Sequence, residues 1–243
     1  GRGADLGVEE GDRVAVDEIL RGQPPFAVYG YTMGVDGDTG LFGGYGEYMV
    51  VLPGTRLHRL PDDKPAAELT VFEPMANAVN WVDIAGVQPD HFVVVEGPGH
   101  QGLAVLEAVI AAGASTVVVT GTGDDGIRLD AARAIGAHEV IDVTATDPVE
   151  RVRELTGGRM ADVVLDISPA VQTVSIAIDL IAFHGTVLLA GLKHFAPVDG
   201  LITDKIVVQG LRVLGGSGYT PTSMAKAVDL ITTGAIDVGH LRG

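Results

Sequence analysis

The chain has 243 residues, 47% hydrophobic and 20% charged, which fits one large or two small globular domains and excludes a disordered chain. Its 32 acidic and 16 basic side chains leave a formal charge of −16, which argues against nucleic acid and anionic membrane surfaces as partners. It has no cysteine, so disulfides, cysteine nucleophiles and thiolate metal ligands are excluded from this chain.

The first residues, Gly1 to Asp5, lack the charged-then-apolar form of a secretion signal. No apolar run approaches the roughly 20 residues of a membrane span, so a cytoplasmic protein that uses no membrane is expected. Residues 1–70 are rich in Gly and Pro, with short β-like runs at Arg13–Val16 and Tyr48–Leu52 and a turn at Pro53-Gly54. No helical period appears before Ala66. From residue 90 the pattern changes to apolar runs alternating with helical segments. Strands are predicted at Phe92–Glu96, Thr116–Thr120, Val140–Asp142, Asp162–Asp166, Thr186–Ala190 and Leu211–Leu214. Helices are predicted at Gln101–Ala112, Ile127–Ile135, Val149–Leu155, Val171–Ile181 and Thr222–Thr232. Asp147-Pro148 supplies an N-cap and a first-turn Pro for the third helix, Gly157 stops it, and Gly234 stops the last. Alternating strands and helices imply parallel βαβ units with helices on both faces, a doubly wound α/β fold with a six-stranded sheet (Rossmann).

The turn after the first of these strands reads Gly97-Pro98-Gly99-His100-Gln101-Gly102. Glycines at this spacing, between a strand and a helix, allow a tight turn at Gly97. They let a pyrophosphate approach at Gly99 and helix and strand pack closely at Gly102. The N–H groups at the helix start would hold the phosphates. His100 and Gln101 lie inside this turn. The bland alternative is a structural β-turn-α that binds nothing. The next strand runs into Gly121-Thr122-Gly123-Asp124-Asp125-Gly126. The acidic position that binds the ribose of NAD falls on Gly121. Thr122 and Arg128 could therefore meet a 2′-phosphate, while Asp124 or Asp125 could still reach the ribose, and NAD or NADP stays open. Asp166-Ile167-Ser168 ends the fourth strand at the same sheet edge. His58, His91, His138, His184 and His240 form no metal motif, and His194, after the fifth strand, is given no catalytic role.

The segments Gly11-Asp12-Arg13-Val14, Gly43 to Val51, Phe72-Glu73-Pro74-Met75-Ala76-Asn77-Ala78, Gly97 to Gly102, Gly136-Ala137 and Val187 to Gly191 occur in this order. Together they resemble the medium-chain dehydrogenase/reductase superfamily, and within it the zinc-containing alcohol/polyol dehydrogenase branch. The resemblance covers nearly the whole chain. It implies three parts: a partial GroES-like catalytic domain at 1–72, a Rossmann dinucleotide-binding domain at 73–217, and a return segment at 218–243. It implies NAD or NADP as cofactor, with Ala190, Gly191, Leu192 and Gly215 (followed by Gly216-Ser217) near the nicotinamide. It also implies a catalytic zinc beside Glu73, whose other ligands lie outside this chain. The family's upstream Cys and Gly-His-Glu segment are not in this chain, so both ends of the catalytic domain are expected to be missing. The four-cysteine structural lobe is excluded, since Ala15–Phe42 has no Cys.

The expectation is an oxidoreductase moving hydride between an alcohol or polyol and NAD(P), with zinc assistance and no catalytic side chain assigned. A small-molecule alcohol or carbonyl is the substrate, and a homo-oligomer (dimer or tetramer) forms through the Leu211–Leu214 edge. Two alternatives stand beside it. One is a zinc-independent quinone or enone reductase of the same superfamily. The other is a non-catalytic dinucleotide-binding protein.

Overall fold

The computed structural model of the chain describes residues 6–21, 27–32 and 41–241, with the side chains of His240 and Leu241 excepted. The readings at Gly1 to Asp5, in parts of Ala15–Phe42 and at the His240 ring fall outside the described residues. The chain divides into two compact units, Gly1–Pro65 and Ala66–Gly243.

The first unit holds four short strands: β1 (Val14–Val16), β2 (Ile19–Leu20), β3 (Ala27–Val28) and β4 (Leu57–Arg59). β1 pairs antiparallel with β4, and β2 with β3. The run Tyr48–Leu52 was expected to be β-like but joins no ladder. Its backbone bonds go elsewhere: Val50 N–H donates to Leu41 O at 2.7 Å and Leu52 N–H to the Tyr29 hydroxyl at 2.6 Å. That hydroxyl also lies 2.6 Å from Thr55 Oγ1, so a buried tyrosine does the work of a partner strand.

The second unit begins with α1 (Ala66–Leu69) and α2 (Phe72–Ala85), followed by β5 (Phe92–Glu96) and α3 (His100–Ala111). Next come β6 (Thr116–Gly121), α4 (Gly126–Ile135), β7 (Glu139–Asp142), α5 (Pro148–Leu155), β8 (Ala161–Asp166) and α6 (Thr173–Leu180). β9 (Ile181–Leu189), α7 (Thr203–Gln209), β10 (Arg212–Gly215) and α8 (Pro221–Thr233) complete it. The sheet is six-stranded in the order β10-β9-β8-β5-β6-β7, and every pair is parallel. The chain runs outward from β5 through β6 and β7, then restarts at β8 on the other side. β5 is therefore beside the topological switch point, where doubly wound folds bind ligands.

The central strands are β-branched runs buried on both faces, as a helix-covered parallel sheet requires. Every residue of β5 is buried. Val94, Val118, Val164 and Val187 form a layer with Val152, Ala177 and Ile178. Asp147 accepts from Val149 N–H and Glu150 N–H, capping α5 in the manner expected.

Some element boundaries differ from the sequence reading. The predicted helix Val171–Ile181 ends one residue earlier, because Ile181 pairs with Ala161 and opens β9. The register then shifts, and His184 in the excursion takes φ 59° before Thr186 resumes pairing with Val163. Helices α2 and α7 were not predicted. The segment 218–243 lies in the second unit, where Met224, Ala227, Val228 and Ile231 of α8 are buried in a helix that packs on α2. Asn80 of α2 donates to Gly218 O at 3.0 Å, and Lys226 of α8 bonds Asp83 at 2.9 Å.

Candidate functional site

A cleft of about 650 Å³ opens at the carboxyl ends of β5, β6, β8 and β9. Its floor is the turn between β5 and α3. Gly97 has φ 99°, a conformation that favours glycine, and a Cβ there would stand 3.1 Å from Ser168 N and Cα. A Cβ on Gly102 would overlap Gly97 O, so the turn closes only without one. Gly99 differs: it caps α3, and a Cβ on it would meet nothing within 4 Å. The first N–H groups of α3 have no acceptor within the helix. Two buried polar atoms among the cleft-lining residues also lack partners, Gln101 Oε1 and Trp81 Nε1. A ligand with polar groups would satisfy them.

One wall is the loop after β6. Thr122 N–H and hydroxyl both donate to Asp125 Oδ2, at 3.0 and 2.9 Å, and Arg128 donates to Asp125 Oδ1 at 2.8 Å. Burial opposes ionisation of Asp125, but these bonds outweigh it and hold its pKa below the usual carboxylate range. The opposite wall joins the loops after β8 and β9. Ala190 N–H and Gly191 N–H both donate to Asp166 O at 2.9 Å. A Cβ on Gly191 would overlap Ser168 O, so the two loops touch backbone to backbone. Behind them the fully buried Asp166 carboxylate takes the Lys193 ammonium at 2.8 and 2.9 Å and the Thr173 hydroxyl at 3.0 Å. Burial nevertheless leaves the Asp166 pKa raised. Glu96 sits opposite Asp166 in register and is 1% exposed. Burial and then the Asp166 charge push its pKa well up against the pull of Lys193, which favours the protonated form.

Ten of the expected cofactor residues meet in this cleft, Gly97, Gly99, His100, Gln101, Gly102, Thr122, Arg128, Ala190, Gly191 and Leu192, with Asp125, Ile167 and Ser168 beside them. Three others stand apart from its lining. Gly121 is covered by Pro98, whose Cγ would stand 2.8 Å from a Cβ at 121. Gly215 closes β10. Glu73, half-buried in the first turn of α2, accepts from Asn77 Nδ2 at 2.7 Å. It belongs to no metal-holding set, since among the described residues no three His, Cys, Asp or Glu side chains come together. Trp81 and Lys193 were not found by sequence reasoning. Trp81 rides on the unpredicted α2, and Lys193 acts through a partner 27 residues away. Of the histidines, His194 lines the cleft and His58, in the first unit, has its pKa lowered mainly by burial.

Residues 102–233 match the family described as zinc-binding dehydrogenase. A Mycobacterium tuberculosis protein named "Probable alcohol dehydrogenase adh" is 36% identical over 94% of this chain and 67% of its own length. The alcohol dehydrogenase structure of Thermotoga maritima covers 96% of this chain and 68% of its own at a TM-score of 0.85 and 21% identity, which is a likeness of fold. A Sinorhizobium meliloti protein described as a "putative zinc-binding dehydrogenase", solved bound to NADP, covers 74% of this chain and 53% of its own at a TM-score of 0.69 and 28% identity. The chain thus spans from about half to two thirds of the length of these proteins. With over half its residues matched from the glycine turn to α8, and a relative this close along nearly its whole length, the chain belongs to the zinc-binding dehydrogenase family.

Proposed function

We propose that this protein is an NAD(P)-dependent oxidoreductase that moves hydride between an alcohol or polyol and the corresponding carbonyl. The observation that carries the reading is the cleft floor, closed at Gly97 and Gly102 and open at Gly99. In this reading the N–H groups of His100, Gln101 and Gly102 take the pyrophosphate. Thr122 and Arg128 face the adenosine ribose. Ala190, Gly191 and Leu192 back the nicotinamide, which supplies the hydride chemistry when bound. The walls orient the ring and keep water from its inner face. The name of the M. tuberculosis relative, alcohol dehydrogenase, and the NADP of the S. meliloti structure support the same assignment.

The described residues do not by themselves fit the zinc ion that the family's description implies. Glu73 gives one oxygen to Asn77, and no set of three ligating side chains is present among the described residues. A cytoplasmic setting and self-association through the β10 edge complete the proposal. β10 pairs with β9 on one side, and Val213 on it is 38% exposed.

The test is dinucleotide binding. A side chain at Gly99 meets no protein atom, so Gly99→Val leaves the melting temperature near that of the parent. It weakens NADH and NADPH by about tenfold or more, by filling the pyrophosphate's approach. A folded Gly99→Val protein that binds both as well as the parent refutes the assignment. In the whole protein, alcohol-dependent formation of NAD(P)H, followed by absorbance, then tests the reaction class.

A further inference from the structure

In a cleft of this kind, the end of the strand after the glycine turn decides between two dinucleotides. A carboxylate there accepts from the ribose hydroxyls of NAD, and a cation accommodates the 2′-phosphate of NADP. Here the strand ends at Gly121, where a Cβ would stand 2.8 Å from Pro98 Cγ and 3.1 Å from Leu129 Cδ2. A carboxylate cannot be placed at 121 unless Pro98 moves. Discrimination has to come from the loop that follows.

That loop holds a closed set of donors around one anion. The Thr122 amide, the Thr122 hydroxyl and the Arg128 guanidinium all donate to Asp125, at 3.0, 2.9 and 2.8 Å. A backbone N–H, a hydroxyl and a guanidinium are the donors that a phosphate monoester takes. Here both Thr122 donors and one N–H of the Arg128 guanidinium are already taken by Asp125. The Asp125 side chain is 17% exposed and Arg128 62%, so the guanidinium reaches the carboxylate while the arginine stays largely in solvent. An entering 2′-phosphate would have to displace an anion that belongs to the chain, against its repulsion, with ordinary screening only.

We propose that Asp125 is the specificity-determining residue of this cleft. Its carboxylate occupies Thr122 and Arg128 in place of a 2′-phosphate, and the protein therefore takes NAD in preference to NADP. The inference rests on reading the cleft as a dinucleotide site.

The experiment is calorimetric or fluorescence titration of the purified protein with NADH and with NADPH, at one fixed salt concentration. The parent is compared with Asp125→Ala, Asp125→Asn and the double variant Asp125→Ala/Arg128→Ala, each checked by thermal melting. The parent is expected to bind NADH about tenfold or more tighter than NADPH. Asp125→Ala frees the two Thr122 donors and the bonded Arg128 N–H and raises the affinity for NADPH relative to NADH by about tenfold. The double variant loses that gain, because the freed guanidinium is gone. Should Asp125→Ala melt well below the parent, Asp125→Asn keeps the shape without the charge and still shifts the ratio towards NADPH. A parent that binds NADPH as tightly as NADH, or variants that leave the ratio unchanged, overturn the proposal while the cleft assignment stands. A folded parent that binds neither overturns both.

Discussion

At the scale of single residues, the most exacting arrangement is the ion pair behind the cleft. Asp166 is fully buried and Lys193 is 12% exposed, so each charge depends on the other. Lys193 also reaches Ser168 O and the Thr173 hydroxyl, which ties the loops after β8 and β9 together. Removing one partner of such a pair costs about 3–5 kcal/mol, because a charge is left buried and alone. Lys193→Met is therefore expected to lower unfolding free energy by that order at about pH 8. The Asp166 carboxyl already has a raised pKa, and losing the ammonium raises it further. A carboxyl raised in the folded state favours folding at low pH, so the penalty shrinks as pH falls towards about 5. Urea unfolding of parent and variant at the two pH values checks this. A penalty equal at both would show that the charge of Asp166 is not what Lys193 offsets. Sequence could not point to this pair, since nothing local links a lysine in one loop to an aspartate 27 residues before it.

At the scale of elements, what was legible followed from local rules. The β-branched run of β5, the glycine turn and the Asp147-Pro148 start of α5 each carry their instructions within a few residues. Tyr48–Leu52 has strand-like composition, but its backbone partners are a tyrosine hydroxyl and a loop carbonyl, which composition does not encode. Helix α2 is buried over most of its length, so it lacks the polar face that makes a helical period visible. Helix α3 carries a polar group in the same kind of setting. Glu107 is buried, and its pKa rises to about 7, first through burial and then through the charge of Asp237. Between the ordinary 4.5 and about 7 the unfolded chain ionises while the folded chain stays protonated. Stability therefore falls with rising pH across that window and is level above it. Glu107→Gln removes the fall and is expected to exceed the parent by about 1–2 kcal/mol at about pH 8, the full shift being discounted for partial solvent access. Parallel pH profiles for parent and variant would contradict it.

At the scale of the whole molecule, the fold class was legible because alternating strands and helices leave few topologies. The site was legible in part. Its floor lies within six consecutive residues, whereas Trp81 and Lys193 enter through tertiary packing, and Glu73 takes a helix-internal bond to Asn77. The exposed edge of the sheet bears on assembly. β10 is largely solvent-facing, and exposed edges pair with other chains unless blocked. Light scattering is expected to give about twice the 25.1 kDa of one chain, and Val213→Lys, a charge on that edge, to return it to one. A parent of single-chain mass would set this aside.

The contact between Pro98 and Gly121 ties the history of two positions 23 residues apart. An acidic side chain at 121 is obstructed while proline stands at 98, and proline at 98 is free to stay only while 121 has no side chain. A side chain at 121 is strained unless Pro98 is also replaced, so the effects of the two changes on stability are expected to depart from additivity. A chain with this turn is held to its own solution of the ribose problem. Redesign of its cofactor preference has to begin in the loop beyond β6, or change both positions in one step.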